Sequence, residues 1–350
     1  MAEARKLKKT DVGAVETTTR PALWKVPPVA DDRPVDLSIV IVTWNSERWI
    51  GRCLEALAES CDGLAYEVLL YDNASADDTM RLVDDAGGVR TIRSQMNDGF
   101  AAGSNRAISA ARGRYIFLLN PDCELAPRAL AVLFEYLEAN PHVSAAVPLL
   151  SDESGVSQRE FQLRRLPTLR TLISEVLLIG KVFPRNPATA YYRYRDLDLT
   201  APQRIEQPAA AALLIRKDVY EEVGPLDEQF SPAWFEDVDY CRRLAAANKA
   251  IYVVPAAWAR HFGGASLEHV PFAQFIDVWY RNMFRYATKW LTPGEAEALR
   301  WVIVAGMLLR LPAALVGFGH PDVGRWQAMR AYVKVMERAF TRWSGHGPVR

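Results

Sequence analysis

The sequence predicts an α/β fold, a mostly parallel sheet with helices on both faces. Three observations carry this. The run Leu37-Ser38-Ile39-Val40-Ile41-Val42-Thr43 is rich in β-branched residues and unbroken, as strands buried on both faces are. The run Tyr115-Ile116-Phe117-Leu118-Leu119 is apolar throughout and stops at Asn120-Pro121-Asp122, where proline cannot continue a strand. Around them, short apolar runs alternate with stretches of helical spacing, the pattern of parallel strands joined by crossover helices.

Taken in order, the first strand is followed by Ser46, read as the cap of a helix with Trp49, Ile50, Cys53, Leu54 and Leu57 on its apolar face. A strand at 66–71 runs into Asp72-Asn73-Ala74-Ser75-Ala76-Asp77, then a helix at 78–85 and a strand at Val89–Arg93. Asn97-Asp98-Gly99-Phe100 forms a turn before a small-residue helix at 101–112. After the strand at Tyr115–Leu119 come a helix at 128–140 and a strand at 143–149. Residues 151–205 break the rhythm with basic and aromatic residues and read as an insertion covering the sheet edge. The rhythm resumes with a strand at 211–216, a helix at Lys217–Val223, a helix opened by Phe235-Glu236-Asp237, a strand at 250–254 and an extended piece at 258–262. The rest is helical. Arg281, Arg285 and Lys289 form a basic stripe there, beside an apolar stripe of Phe272, Phe275, Ile276, Trp279, Met283 and Trp290. In the last helix Trp326, Met329, Val333, Met336, Phe340 and Trp343 are expected on one face, and Arg330, Lys334, Arg338 and Arg342 on another.

The expected organisation is a disordered arm at 1–33, an α/β body at 34–266 and a helical region at 267–350. A formal net charge of +0 excludes bulk polyanion binding, so no nucleic acid partner is expected. Cys53, Cys61, Cys123 and Cys241 show no paired spacing, which suits a reduced, cytoplasmic chain. Residues 302–318 are apolar apart from Arg310 and Pro312 and fall short of the roughly 20 residues a spanning helix needs, so they read as a packed or membrane-dipping helix. Residues 267–350 hold eleven Lys or Arg against six Asp or Glu, which suits peripheral contact with an anionic membrane.

Polar groups stand where strands end: Thr43-Trp44-Asn45, Asp72 with Asn73 and Ser75, Asn120-Pro121-Asp122, and Glu236-Asp237. That edge is where open α/β sheets bind ligands. Asp122 there offers a hard oxygen ligand for a divalent cation, or caps the next helix.

These pieces also carry a resemblance. Together with Asn97-Asp98-Gly99-Phe100-Ala101-Ala102-Gly103-Ser104-Asn105 and Gly224-Pro225-Leu226-Asp227-Glu228-Gln229-Phe230, they resemble, in order over about 37–266, the inverting glycosyltransferases of family 2, which have the GT-A fold. The most similar branch is rhamnosyltransferase-like and builds cell-wall and surface polysaccharide on lipid carriers. The resemblance implies a nucleoside-diphosphate-sugar donor, dTDP- or UDP-linked, and a glycan or polyprenyl-linked acceptor. It implies Mg²⁺ or Mn²⁺ held by Asp122 and His261. It implies donor contacts from Thr43, Asn45, Asp72, Asn73, Ser75, Gly99, Phe100, Gly103, Asn105, Asn120 and Asp122. Asp237 is the implied general base, with Trp234, Glu236 and Arg281 on the acceptor side. Physical chemistry agrees in part: a carboxylate such as Asp72 accepts from a pyrimidine imide, although Asp72-Asn73-Ala74-Ser75 also makes an Asx turn unaided. Asn120 stands where the family pattern has an acid, and Ser231-Pro232-Ala233-Trp234-Phe235 departs from the usual text before Glu-Asp. Two other readings stand beside this one. A nucleotidyltransferase wants a glycine-rich basic loop after the first strand, which is absent here. A sugar-nucleotide-binding protein without activity wants a damaged Glu-Asp or metal site.

Overall fold

The computed structural model describes residues 34–183, 185–263, 270–315 and 323–344. The arm expected at 1–33, the end of the His261 loop and the end of the apolar segment 302–318 lie outside the described residues.

In chain order the elements begin with β1 (Leu37–Thr43), α1 (Ile50–Ser60), β2 (Tyr66–Asp72), α2 (Thr79–Ala86), β3 (Val89–Arg93), α3 (Phe100–Ile108), β4 (Tyr115–Leu119), β5 (Cys123–Leu125), α4 (Ala129–Ala139) and β6 (Val143–Ser151). The insertion follows as α5 (Arg159–Gln162), β7 (Leu163–Arg164), α6 (Leu169–Val176), α7 (Ile179–Val182), α8 (Pro187–Tyr192), β8 (Gln203–Ile205) and β9 (Gln207–Pro208). Then come β10 (Ala212–Arg216), α9 (Lys217–Val223), α10 (Glu236–Ala246) and β11 (Ala250–His261), and finally α11 (Phe272–Trp290), α12 (Pro293–Leu315) and α13 (Arg325–Phe340).

Every residue of β1, β2 and β4 is buried, as their unbroken apolar runs require of strands covered on both faces. The main sheet has the order β3-β2-β1-β4-β10-β6-β11-β5, with β8 also paired to β11. Its first four strands are parallel, and the register sets Thr43 beside Asp72. β10 enters between β4 and β6, antiparallel to both, and β5 and β8 are antiparallel to β11. The sheet is therefore mixed, parallel in the half that builds the first polar strand ends.

Local expectations are refined in three places. Ser46 does not cap α1 with its side chain: α1 begins at Ile50 after a turn, and the Ser46 carbonyl accepts from the Trp49 and Ile50 N–H groups. α3 stops at Ile108, sooner than the helix expected to reach 112. The two pieces expected at 250–254 and 258–262 are one strand, β11, with a register shift between Val253 and Trp258.

One core lies under α1, α2 and α4, and a second lies on the opposite face against α3, α9 and α10. A third joins α11–α13 to α6 and to Phe230, Phe235 and Val238. The insertion thus touches both parts of the molecule: β8 extends the sheet while α6 packs on the C-terminal helices. All four cysteines are free and buried.

Candidate active site

The carboxyl ends of β1 and β2 form the first part of the site. Asp72 is buried, and its Oδ1 accepts from the Thr43 hydroxyl at 3.0 Å and the Ser75 hydroxyl at 2.5 Å. Its Oδ2 accepts the Ser75 N–H at 3.0 Å. Asn45 sits in the left-handed region at φ 49°, which asparagine tolerates better than most residues. That geometry lets its N–H donate to Ser75 Oγ at 2.9 Å while its Oδ1 accepts the Ala76 N–H at 2.8 Å. Asn73 donates its backbone N–H to Thr43 O and accepts the Asp98 N–H at 3.0 Å. Thr43, Asn45, Asp72, Asn73 and Ser75 are thus one connected cluster. It orients Asp72 and leaves Oδ2 spare accepting capacity.

Other residues assigned to the donor side have structural partners. Gly99 has φ 91°, and a Cβ there would lie 2.6 Å from the Pro232 carbonyl; the neighbouring Phe100 N–H donates to that carbonyl at 2.7 Å. Its glycine permits a close approach of backbone to backbone within the protein. A Cβ at Gly103 would meet the Tyr71 ring at 2.8 Å, so this glycine seats α3 on the sheet. The Asn105 amide donates to the Leu226 carbonyl and accepts the Leu226 N–H, holding the turn before Glu228. In all three, small and amide residues at a sheet edge serve chain packing as readily as a ligand.

Asp122 and His261 meet across the β5–β11 pairing. Both are buried, and His261 Nε2 lies 3.6 Å from Asp122 Oδ1. Gln158 fixes the ring. Its Nε2 donates to the His261 carbonyl at 2.7 Å, so its Oε1, 2.8 Å from His261 Nδ1, must accept. Nδ1 therefore carries the proton, and Nε2 presents a bare lone pair toward a carboxylate. Burial lowers the His261 pKa, opposed by the Asp122 charge. Two acceptors aimed at each other repel unless a cation lies between them, and this donor set fits a divalent ion. Cys123 lies within the same group, but its thiol donates to the Ala211 carbonyl and burial drives its pKa well up, so it stays protonated. Asn120 is held by its backbone, its N–H donating to the Ala211 carbonyl at 2.8 Å.

The same segment touches the Glu-Asp pair, because the Ala210 N–H donates to Asp237 Oδ2 at 3.4 Å while Val238 N–H donates to Oδ1 at 2.8 Å. Glu236 is buried, and its Oε2 has no partner among the described residues. Burial and the Asp237 charge push Glu236 well above the usual carboxylate range. Burial also raises Asp237, but its two N–H donors and the charge of Arg164 favour the ionised form. Of this pair Asp237 ionises first, and its neighbour stays neutral.

Sequence reasoning missed two residues here. Arg164 lies on β7, which pairs with β9 just before Ala210, and its buried Nε has no partner among the described residues. Gln158 is 103 positions from His261, and no local pattern marks it. The placement of Arg281 also differs from expectation. With Tyr280 and Asn282 it is buried, neither a solvated face nor open to an acceptor. Arg281 donates to the Ser231 carbonyl, and Asn282 Nδ2 donates to the Ala233 and Trp234 carbonyls at 2.9 and 3.0 Å. Trp234 and Phe235 hold φ of 72° and 75°, a strained conformation for bulky residues. Trp234 packs edge-on against Phe275, and Phe235 against Trp279.

Comparison with known proteins gives this edge a context. Residues 38–200 match the family model "Glycosyl transferase family 2". Rhamnosyltransferase WbbL of Escherichia coli (strain K12) is 25% identical over 260 residues, 72% of this chain and 92% of that protein. Succinoglycan biosynthesis protein ExoO of Rhizobium meliloti (strain 1021) is 37% identical over 150 residues, and the chain spans only 42% of it. Mannosyltransferase PcManGT from Pyrobaculum calidifontis, solved with GDP-Man and Mn2+, superposes with TM-score 0.50 and 16% identity over 92% of this chain and 91% of that one. GalNAc-T7, solved with UDP, GalNAc and Mn2+, superposes with TM-score 0.53 and 16% identity over 91% of this chain and 59% of that one. Residues 38–200 thus form a family 2 glycosyltransferase domain, on the GT-A fold that the chain shares with these solved structures.

Proposed function

We propose that the protein is an inverting, metal-dependent transferase that moves a sugar such as rhamnose from a dTDP- or UDP-linked donor to a glycan or polyprenyl-linked acceptor. It would serve cell-wall or surface polysaccharide synthesis at the cytoplasmic face of the membrane. The observation that carries this is the Asp122–His261 pair, two acceptors facing each other at 3.6 Å, backed by the segment that also holds Asp237.

In this reading Asp72 Oδ2 accepts from the imide N–H of a pyrimidine, with Thr43 and Ser75 fixing the carboxylate plane. Asp122 and His261 Nε2 would hold Mg²⁺ or Mn²⁺, the imidazole favouring Mn²⁺. The bound ion would offset charge on the departing diphosphate. Asp237 takes the proton from the acceptor hydroxyl as that oxygen bonds to the anomeric carbon, and the bond from that carbon to the diphosphate breaks. One in-line displacement inverts the configuration. Neutral Glu236 places no second negative charge beside the attacking oxygen.

The test is a panel of nucleotide sugars with and without Mn²⁺ or Mg²⁺, run beside Asp237→Asn. The expected result is metal-dependent release of nucleoside diphosphate from one donor, lost in Asp237→Asn. Turnover that survives in Asp237→Asn would reject the assigned base. Binding without turnover for every donor, in the presence of a lipid acceptor extract, would favour a binding protein without activity.

A further inference from the structure

α12 is long and apolar enough, by length and composition, to cross a membrane, yet it is packed along one side. A Cβ at Gly306 would lie 2.8 Å from Val176 of α6, so that side of α12 is fully engaged. The opposite side is unusual. From Ala298 to Leu315 every exposed residue is apolar: Ala298, Trp301, Ala305, Leu308, Leu309, Pro312 and Leu315. At 100° per residue these occupy an arc of about 120° with no charge in it. Of the two cations on this stretch, Arg300 is buried and paired with Glu297, and Arg310 turns back to donate to the Gly306 carbonyl.

α13 runs antiparallel beside it, with the Trp301 and Phe340 rings 5.5 Å apart. Its expected apolar stripe divides. Trp343 is buried, while Trp326 is 69% exposed and Phe340 58% exposed, with Val333 open between them. Two rows therefore face outward at seven-residue spacing, Trp301, Leu308 and Leu315 on α12 and Phe340, Val333 and Trp326 on α13. Over two such spacings the strip is about 21 Å long. Exposed Arg330 and Lys334 flank its α13 side, with one exposed acid, Glu337, beside them. An apolar strip of this extent is larger than the scattered contacts ordinary surfaces expose.

We propose that this α12–α13 face docks on an anionic lipid bilayer, with the α12 arc entering the acyl boundary and Arg330 and Lys334 reaching the headgroups. Tryptophans on the strip and cations along its flank are what an interfacial helix pair presents. The excess of cations over acid on that flank favours an anionic bilayer over a second copy of the same face. The basic stripe of α11 has no part in this: Arg281, Arg285 and Lys289 bind the Ser231 and Gln229 carbonyls and the Asp227 carboxylate inside the protein. The proposal deepens the reading of a lipid-linked acceptor and rests on it for its purpose alone.

The test is flotation of the full chain with phosphatidylcholine vesicles, with and without phosphatidylglycerol. The wild type should float with the anionic vesicles. The double variant Leu308→Glu/Leu309→Glu should lose binding by at least about tenfold, and Arg330→Glu/Lys334→Glu should lose the preference for anionic lipid. All four positions are exposed, so melting temperature and donor hydrolysis without vesicles should be unchanged. Asp237→Asn should float like the wild type, which separates this test from that of the chemistry. Failure of the wild type to float, equal binding by the Leu308→Glu/Leu309→Glu variant, or a wild-type dimer that this variant splits would overturn the proposal.

Discussion

At the scale of single residues, the decisive contrast is between Glu236 and Asp237, adjacent carboxyls with different fates. Asp237 has two backbone donors and the charge of Arg164, while Glu236 Oε2 has no partner among the described residues. A base must be ionised to act, and burial raises Asp237 above its ordinary value of about 3.9. The acid limb of kcat/KM should therefore lie above that of an exposed aspartate. Arg164→Gln removes a charge that favours the ionised form, so it should move this limb further toward alkaline pH; an unmoved limb would take Arg164 out of the site's electrostatics. Glu236 carries a stability consequence of opposite sign to the usual carboxylate. Its folded pKa is raised, so the folded state holds the proton more tightly than the unfolded one. Ionisation in the unfolded state then costs stability as pH rises from about 4.3 toward the folded pKa. Glu236→Gln should thus be near neutral at about pH 4 and stabilising at about pH 7.5, read by urea unfolding at both. The sequence made the Glu-Asp pair visible but not the difference between its members, because that difference comes from β7 and the segment before β10.

At the scale of elements, α11 is a clamp on the 227–235 loop. Its Arg281, Asn282, Arg285 and Lys289 each bind a group on that loop, and Asn282 alone holds two carbonyls beside the strained Trp234 and Phe235. Asn282 is fully buried, so Asn282→Ala strands two acceptors and should cost roughly 2–4 kcal/mol. As a positioning residue it should also lower kcat more than it raises KM for donor, since the loop delivers Asp237; a fall in stability with kcat intact would leave it a structural residue only. β11 and β5 make the other positioned pair, Asp122 with His261. His261→Ala should weaken activating Mn²⁺ by at least about tenfold, read as the metal concentration for half-maximal turnover, and Gln158→Leu should do the same more mildly by freeing the tautomer. The helices and the parallel strands were legible because periodicity is local. β5 was not, since three residues after a Pro-Asp turn carry no period. The burial of Tyr280-Arg281-Asn282 was not either: a basic stripe at helical spacing looks the same whether it faces water or a loop's carbonyls.

At the scale of the whole molecule, the loop before α10 is buried in the core that the insertion and the C-terminal helices share. Phe230, Phe235 and Val238 are buried with Leu172 and Val176 of the insertion and with α11–α13. Lys289 reaches both Asp227 and Asp239, and Asp239 is fully buried with Arg243 and Trp290 as further partners. The sequence marks the boundary near 266 by a change from alternating strands to continuous helix. How closely the two regions pack is not marked there, because contacts across that boundary are long-range and leave no trace in local pattern. A chain ending at Gly263 would expose Phe230 and Phe235 and leave the carbonyls of Ser231, Ala233 and Trp234 without their donors. Each fully exposed side chain of that size forfeits about 1.5–3 kcal/mol, and the total is comparable to the 5–15 kcal/mol that holds a whole domain folded. The truncated chain should therefore aggregate or melt without a cooperative transition, while the intact chain unfolds with the sheet and helices lost together. Calorimetry of the two would decide it. A truncated protein with a sharp transition and retained donor hydrolysis would make the helices an accessory, and the loop bearing Asp237 would then need another source of order.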